Sequence, residues 1–263
     1  MGPAPAITAP AIIAQTVIDP VHAPSACQLV AEQLRRAIHL GRFLAGDKLP
    51  PERELAKQLG VSRTTVRDAV KVLEGEGLVR SKRGAAGGLS VLEQRISAAA
   101  LRKSLGGRLR AIADIYDYRL AIECAAARLA SARRGKNDLA HLARQVTRMG
   151  ELAALGAEAD ESRALAVVSQ FIAVDSEFHL GIARAAHNAY LQAAIEDARA
   201  AMFSPIGAVF RRLEDNANAY HEAIFAALEA GDGAAAENAM ADHLQASREG
   251  VEGLVRRALP ARK

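Results

Sequence analysis

Between residues 25 and 91, apolar residues follow a helical period in three short segments and then alternate along two shorter ones. In the third helical segment they recur at i, i+3, i+4 and i+7, a spacing that gives a helix one buried face. Those positions are Val66, Ala69, Val70 and Leu73. This part of the chain therefore predicts three helices followed by a small β-hairpin.

Each predicted helix begins at a residue that suits a helix N-terminus and ends at or near a glycine. The expected starts are Ser25 (with Gln28 in the capping-box position), Pro51 and Ser62, and the expected ends are Gly41, Gly60 and Gly75. The predicted strands, residues 78–81 and 89–91, flank a glycine-rich turn. Two short helices joined through Gly60 and followed by a hairpin are typical of a winged helix-turn-helix.

From residue 113 onward every periodic segment is helical, and no strand is predicted. Helix breaks are expected near residues 135, 156, 187–188, 214–215 and 231–233. These breaks delimit six or seven helices, which are enough for an antiparallel bundle. The long stretch from about residue 158 to 174 is expected to add a helix.

The sequence therefore predicts a mainly α protein with four regions. They are a flexible, proline-rich N-terminal arm (residues 1–24), a winged helix-turn-helix domain (25–93), a helical linker (94–112) and an all-α antiparallel bundle (113–258).

The net charge of +4 is modest, but the positive charge is unevenly distributed. Residues 25–95 hold 13 Lys and Arg against 8 Asp and Glu, whereas residues 96–263 hold 21 of each. The excess therefore lies in the predicted helix-turn-helix, as expected for a segment that meets a polyanion.

The N-terminal segment does not resemble an export signal. Its first 24 residues hold five of the nine prolines and no Lys or Arg, and no apolar run suggests a transmembrane segment. Cys27 and Cys124 are too few for a disulfide framework and are expected to be buried apolar residues in a reducing compartment. We therefore expect a cytoplasmic protein with no membrane partner.

Basic and hydroxyl side chains of the third helix lie away from its apolar face. Arg63, Arg67 and Lys71 recur at i, i+4 and i+8, and Thr64 and Thr65 lie in the first turn. At the N-terminal end of a helix in the major groove, such groups can pair with guanine or hold a phosphate. The stripe alone also fits an ordinary solvated basic helix.

A second basic feature is the tip of the predicted hairpin. Lys82 and Arg83 precede the flexible turn that begins at Gly84. This basic wing tip is suited to the minor groove.

Three strings in this region closely resemble the GntR family of bacterial repressors. They are GDKLPPERELA (46–56), GVSRTTVR (60–67) and LEGEGLV (73–79). The resemblance covers about residues 25–91 and implies a regulator of double-stranded operator DNA. It also implies that Arg53, Arg63 and Arg67 contact DNA and that Arg83, before Gly84, lies at the wing tip. The wing, RGAAGG, is longer and richer in glycine than is usual in the family.

The helical half resembles the FadR-like branch of that family, whose effector-binding and dimerisation domain is called FCD. The resemblance covers about residues 113–255. It is carried by the strings YRLAIE (118–123), DSEFH (175–179), HN (187–188), HEAI (221–224) and HL (243–244).

Four potential metal ligands in this half share helix faces with apolar residues. They are Asp175, His179, His221 and His243, from three helices. A single histidine on an apolar face is usually a satisfied core residue, but three histidines and an aspartate also match the metal-binding subset of FCD domains. One carboxylate and three imidazoles suit Zn²⁺, with Ni²⁺ or Mn²⁺ as alternatives.

Arg119 lies on an inward-facing stripe, and a buried arginine needs an anionic partner. That partner is either Glu123, one turn away, or the carboxylate of an effector, as for the matching arginine in the family. Asn188 is expected to add a hydrogen bond to the effector.

These observations favour a homodimeric repressor that is not an enzyme, controlled by a small organic acid or a fatty acyl effector. Lactate, glycolate and sugar acids are among the effectors implied by the resemblance. Three alternatives are a metal-responsive regulator, an architectural DNA-binding protein, and a His/Asp metal-dependent hydrolase fused to a DNA-binding domain. The hydrolase is disfavoured because no general base is evident beside the ligands.

Overall fold

A computed structural model describes residues 23–82, 87–92, 109–206 and 218–258. The described residues confirm a mainly α protein with one small sheet. In chain order, the elements are α1 (Ala26–His39), α2 (Glu52–Leu59), α3 (Arg63–Gly75), β1 (Val79–Lys82), β2 (Gly88–Val91), α4 (Leu109–Arg133), α5 (Lys136–Glu158), α6 (Glu161–Ala185), α7 (Ala189–Ile206), α8 (Ala219–Ala230) and α9 (Gly233–Ala258).

The first three helices begin at the predicted caps or one residue away. Ser25 and Gln28 form the expected capping box, with the Gln28 backbone N–H donating to Ser25 Oγ over 3.2 Å. The Ser62 hydroxyl accepts from the Thr65 backbone N–H over 3.0 Å. Pro51 occupies the cap position of α2 rather than its first turn. Local capping chemistry therefore sets these boundaries.

The N-terminal core is formed by α1–α3 and an antiparallel hairpin. The four periodic apolar residues of α3 are all buried in it. Strands β1 and β2 pair with Val79 opposite Val91. The predicted winged helix-turn-helix is thus present.

Helices α4–α9 form the second core, and they are the six bundle helices in the described part of the chain. α4 packs most extensively against α9, and α5 against α6. The break expected near Gly156 lies a few residues later, because α5 continues through Gly156 to Glu158. The helical conformation is interrupted before Asp160, which caps α6: its carboxylate accepts a hydrogen bond from the Arg163 backbone N–H over 2.9 Å. The stretch 158–174 therefore lengthens the helix that carries Asp175 and adds no separate helix.

The end of α1 joins the two cores. Leu40 is buried within the bundle core, and Gly41 adopts a left-handed φ of 74° against Ala173 of α6. Beside it, Arg36 pairs with Asp197 and, over 3.3 Å, with Glu196 of α7. The winged helix therefore contacts both α6 and α7.

Among the described residues, one segment within α6, Arg163–Ala185, is long and apolar enough by length and composition to cross a membrane. The sequence had not suggested such a segment. The core helix of a soluble protein passes the same test, and this helix packs against α4, α5 and α7.

Candidate metal centre and DNA interface

The four predicted metal ligands lie together at the centre of the bundle. Asp175 and His179 are one turn apart on α6, while His221 and His243 come from α8 and α9. The ligand atoms of the four side chains all lie within 4.8 Å of one another. Because spacing along the chain could only place each residue on an inward face, their convergence is a result of the tertiary fold.

The donor atoms of this cluster fit a divalent cation. His179 Nε2 lies 3.2 Å from His243 Nε2 and 3.5 Å from Asp175 Oδ1. His221 Nε2 lies 2.9 Å from the same Asp175 oxygen, while His221 Nδ1 is buried with no hydrogen-bond partner among the described residues. Nitrogen lone pairs crowded around one carboxylate oxygen are the donor set that Zn²⁺ and similar ions prefer.

The charge states of the cluster also suit a metal. Burial, and then the nearby His221 and His179, hold the pKa of His243 well below its ordinary value, so its ring is neutral near pH 7. Burial alone would raise the pKa of Asp175, but the charge of Arg199 outweighs it and the pKa is lowered. Metal binding needs neutral imidazoles and ionised carboxylates, and these lowered pKa values favour those forms of His243 and Asp175.

A second buried carboxylate, Glu123 on α4, lies directly behind the cluster. Its Oε2 is 2.5 Å from His179 Nδ1, and its Oε1 accepts from Arg119 Nε over 2.6 Å. Burial would raise the pKa of Glu123, but the charge of Arg119 and the hydrogen bond with His179 outweigh it and lower the pKa. Sequence reasoning had considered Glu123 only as a partner for Arg119, and had not connected it with His179.

Arg199 on α7 is a site residue that sequence reasoning missed. Its side chain is 1% exposed, and its Nη2 donates to Asp175 Oδ2 and, over 3.3 Å, to Ser176 Oγ. It shares a buried stripe with Ile195 and Met202, at i−4 and i+3. An arginine on an apolar stripe is the same pattern that singled out Arg119, so this residue could have been found.

Arg119 is fully buried between aromatic, sulfur and acidic neighbours. Besides its ion pair with Glu123, its Nη1 lies 2.8 Å from Met202 Sδ, and its guanidinium carbon lies 5.2 Å from the centre of the Tyr116 ring. The structural partner expected for Arg119 is therefore present. A role toward an effector stays a prediction.

Asn188 has a local structural role. Its side-chain oxygen accepts from the backbone N–H groups of Tyr190 and Leu191 over 3.0 and 3.1 Å, which caps α7. Among the described hydrogen bonds, none links Asn188 to the metal cluster. Its predicted contact with an effector therefore gains no support from its position.

Most of the predicted DNA-contacting side chains are exposed on the surface of the winged helix-turn-helix domain. The exposed ones are Arg53, Arg63, Thr64, Arg67, Lys71 and Lys82. Thr65 is half-buried, and its hydroxyl lies 2.8 Å from Ser62 Oγ, so it belongs to the cap of α3. Arg83 and Gly84 lie outside the described residues.

Arg67 pairs with Glu52 of α2 over 3.2 Å, and Lys71 with Asp68 over 2.9 Å. Exposed pairs of this kind contribute little to stability, on the order of 0–1 kcal/mol. Either cation can therefore leave its partner for a phosphate or a base at small cost.

A winged helix-turn-helix joined to a helical bundle with a buried ligand site defines the class of ligand-responsive DNA-binding regulators. The family described as "Bacterial regulatory proteins, gntR family" matches residues 27–87, and "FCD domain" matches residues 114–246. The chain belongs to the GntR family of transcription regulators and carries an FCD effector-binding domain. The expected regulator, rather than an enzyme, is thereby confirmed.

Individual relatives support this family assignment. The chain is 31% identical to the HTH-type transcriptional regulator LutR of Bacillus subtilis, covering 78% of this chain and 91% of LutR. It is 33% identical to the protein assigned as regulator of the L-lactate dehydrogenase operon in Escherichia coli K12, covering 82% of each chain. The Glc operon transcriptional activator of the same strain is 28% identical over 71% of each chain.

Among solved structures, Escherichia coli McbR/YncC is similar with a TM-score of 0.51 and 21% identity. The match covers 88% of this chain and 99% of that one. At this identity the likeness concerns the fold alone.

Proposed function

We propose that the chain is a cytoplasmic, homodimeric repressor whose operator affinity is controlled by a small carboxylate effector bound beside a divalent metal. The observation that carries the proposal is the buried convergence of Asp175, His179, His221 and His243, backed by two buried arginines. Zn²⁺ is the favoured ion, with Ni²⁺ or Mn²⁺ as alternatives. When bound, the ion supplies a Lewis-acidic centre with open positions for an effector oxygen.

Charge balance supports an anionic effector. The buried cations Arg119 and Arg199 are matched by buried Glu123 and partly buried Asp175, and imidazoles that bind a metal are neutral. A divalent ion adds two positive charges to this balanced set. Uncompensated charge in a buried site is strongly unfavourable, so the metal-loaded site should recruit an anion from solution.

The name of one relative favours a small hydroxycarboxylate within this class, because that relative is assigned to the L-lactate dehydrogenase operon. A fatty acyl carboxylate has the same anionic group, so both kinds of acid belong in the ligand screen. The relative that regulates the Glc operon is named as an activator. Repression by this chain, as opposed to activation, is therefore itself part of the proposal.

The contact between the two cores offers a physical link from the site to the DNA-binding domain. Ala173, two residues before Asp175, contacts Gly41 at the end of α1. On α7, Arg199 holds Asp175, while Glu196 and Asp197 pair with Arg36 of the winged helix. A small shift of α6 or α7 on ligand binding would therefore move α1, and a dimer would present two such domains to a palindromic operator.

Gly41→Ala is expected to destabilise this contact more than an equivalent glycine substitution elsewhere. An alanine Cβ at position 41 would lie 2.5 Å from Ala173 Cβ. Such overpacking costs about 1–3 kcal/mol. Gly77→Ala is the matched control, because Gly77 has the same φ of 74° and its added Cβ would meet nothing within 4 Å. Denaturant unfolding of both variants measures the difference; equal losses of stability would mean that the two cores do not pack closely at Gly41.

Arg63→Ala and Arg67→Ala are each expected to weaken operator binding by about 1–3 kcal/mol, the scale of a specific arginine–base contact. Operator duplexes would first be selected from a random pool with wild-type protein, and affinities then measured by fluorescence anisotropy at fixed salt. Arg148→Ala removes an equally charged but distant side chain of α5 that is 46% exposed, and it should bind as wild type. Wild-type affinity in both α3 variants would show that α3 is not the recognition helix.

A further inference from the structure

Glu123 lies at a junction between the two parts of the proposed site. Its Oε2 is 2.5 Å from His179 Nδ1, on the side of the ring away from the ligand cluster. Its Oε1 accepts from Arg119 Nε over 2.6 Å. The side chain is 2% exposed, so these contacts are shielded from bulk solvent. A single carboxylate thus contacts a proposed metal ligand and the proposed effector arginine at once.

The contact with His179 decides which ring nitrogen carries the proton. A carboxylate oxygen only accepts hydrogen bonds, so any neutral His179 ring facing it must place its proton on Nδ1. The lone pair then lies on Nε2, which faces His243 Nε2 at 3.2 Å and Asp175 Oδ1 at 3.5 Å. Nε2 is therefore left available to a metal ion, and outer carboxylates commonly orient metal-binding histidines in this manner.

The other half of the contact orients Arg119. An i, i+4 ion pair along α4 would need only one oxygen of Glu123, and the second oxygen is used by α6. Asp175 is held by Arg199, whose Nη1 also lies 3.9 Å from Glu123 Oε2, so Arg119 is the closer of two cationic partners of Glu123. Loss of the Glu123 charge would therefore change the hydrogen bonding of both His179 and Arg119.

We propose that Glu123 is a positioning residue that fixes the tautomer of His179 and the orientation of Arg119, and thereby couples metal binding to effector binding. This inference rests on the proposed metal and effector site. Glu123 is not itself a ligand, because it contacts the back of the His179 ring while the cluster lies at the front.

Glu123→Gln tests the tautomer directly, because glutamine keeps the size of the side chain but has one acceptor oxygen and one NH₂ group. If the oxygen remains on Arg119, the NH₂ group faces His179 Nδ1. That nitrogen must then accept, and the ring proton moves to Nε2, the atom that a metal needs. In metal-free protein at pH 8, ¹⁵N chemical shifts of the histidine rings should show one ring changing from the Nδ1–H to the Nε2–H form.

The same variant should bind Zn²⁺ about 10–100-fold more weakly, the usual effect of removing an outer partner of a ligating histidine. Competition with a chromophoric chelator would measure the affinity. Glu237→Gln is the control, because Glu237 makes an exposed pair with Arg128 in the same bundle; its ring spectrum and Zn²⁺ affinity should match wild type.

An unchanged histidine tautomer in folded Glu123→Gln would overturn the proposal. Should that variant fail to fold, the wild-type spectrum still decides, because a neutral His179 ring protonated at Nε2 contradicts the inference. The proposed function is tested by a separate measurement: wild-type protein that binds no Zn²⁺, Ni²⁺ or Mn²⁺ refutes the metal site. The ring spectrum is recorded without metal, so its result does not depend on that outcome.

Discussion

Wild-type protein is expected to retain about one divalent metal ion per chain at neutral pH, and His221→Ala is expected to lose that ion on dialysis. The reason is geometric: His221 Nε2 is one of four donors that already converge within 4.8 Å of one another. Removal of the ring also deletes its edge-to-face contacts with Phe171 and Phe178, which lowers stability, but the rest of the bundle core is unchanged. We therefore expect the bundle to stay folded while the donor set drops from four to three. Elemental analysis after dialysis, with circular dichroism for the fold, would measure both effects.

His187→Ala is the matched control for this experiment. His187 is an exposed histidine at the turn before α7, and it should leave the metal content unchanged. Added Zn²⁺ should also stabilise wild-type protein, by about 2.7 kcal/mol at 100 times the dissociation constant, and stabilise His221→Ala far less. A wild-type protein without metal after exposure to Zn²⁺, Ni²⁺ and Mn²⁺ would remove the basis of the proposal.

Acid should release the metal. The pKa of His243 is held below its ordinary value by burial and by its histidine neighbours, so no proton has to leave that ring when a metal binds near pH 7. As the pH falls, protons compete with the ion for the imidazole lone pairs, and the affinity decreases. Dialysis against a chelator should therefore strip the ion more completely at mildly acidic pH than at pH 8.

Local sequence patterns were sufficient to predict most of the fold. Ser25, Gln28 and Ser62 act within one helical turn, so their capping roles are visible in a few consecutive residues. The apolar stripe of α3 likewise depends only on spacing. The break predicted near Gly156 lies a few residues later because a glycine inside a helix costs only about 1 kcal/mol, and packing of α5 against α6 can override that cost. Asp160, a strong helix cap four residues later, sets the boundary instead.

The sequence predicted only those parts of the site that lie within a single helix. The pair Asp175 and His179 lies one turn apart, and its shared face follows from the helical period. The contacts of Glu123 with His179, and of Arg199 with Asp175, join residues 56 and 24 positions apart in the chain. Those pairings depend on how α4, α6 and α7 pack, which no short pattern specifies. Asn188 was assigned to the effector from its position in the sequence, but its side-chain oxygen accepts a hydrogen bond at the N-terminus of α7 instead.

Arg119→Ala is expected to abolish the response of operator binding to a carboxylate effector while leaving basal DNA binding intact. Arg119 is a buried cation beside the cluster, whereas the proposed DNA contacts lie in the other domain. Its loss leaves Glu123 with one cationic partner fewer, so the site loses the positive charge that would hold an effector's carboxylate. Typical couplings between two sites are about 1–3 kcal/mol, or roughly five- to 150-fold in affinity, and this factor should fall to near one.

The measurement begins with a thermal-shift screen of L-lactate, glycolate, sugar acids and fatty acyl compounds on zinc-loaded wild-type protein. Operator titrations with and without each hit then give the coupling in wild type and in Arg119→Ala. Arg128→Ala is the control, because Arg128 is an arginine of the same helix that is 57% exposed, and it should respond as wild type. A normal response in Arg119→Ala would show that the effector binds elsewhere. If no acid alters operator affinity but Zn²⁺ alone does, the bundle senses the metal itself, and Arg119 serves only to hold Glu123 against His179.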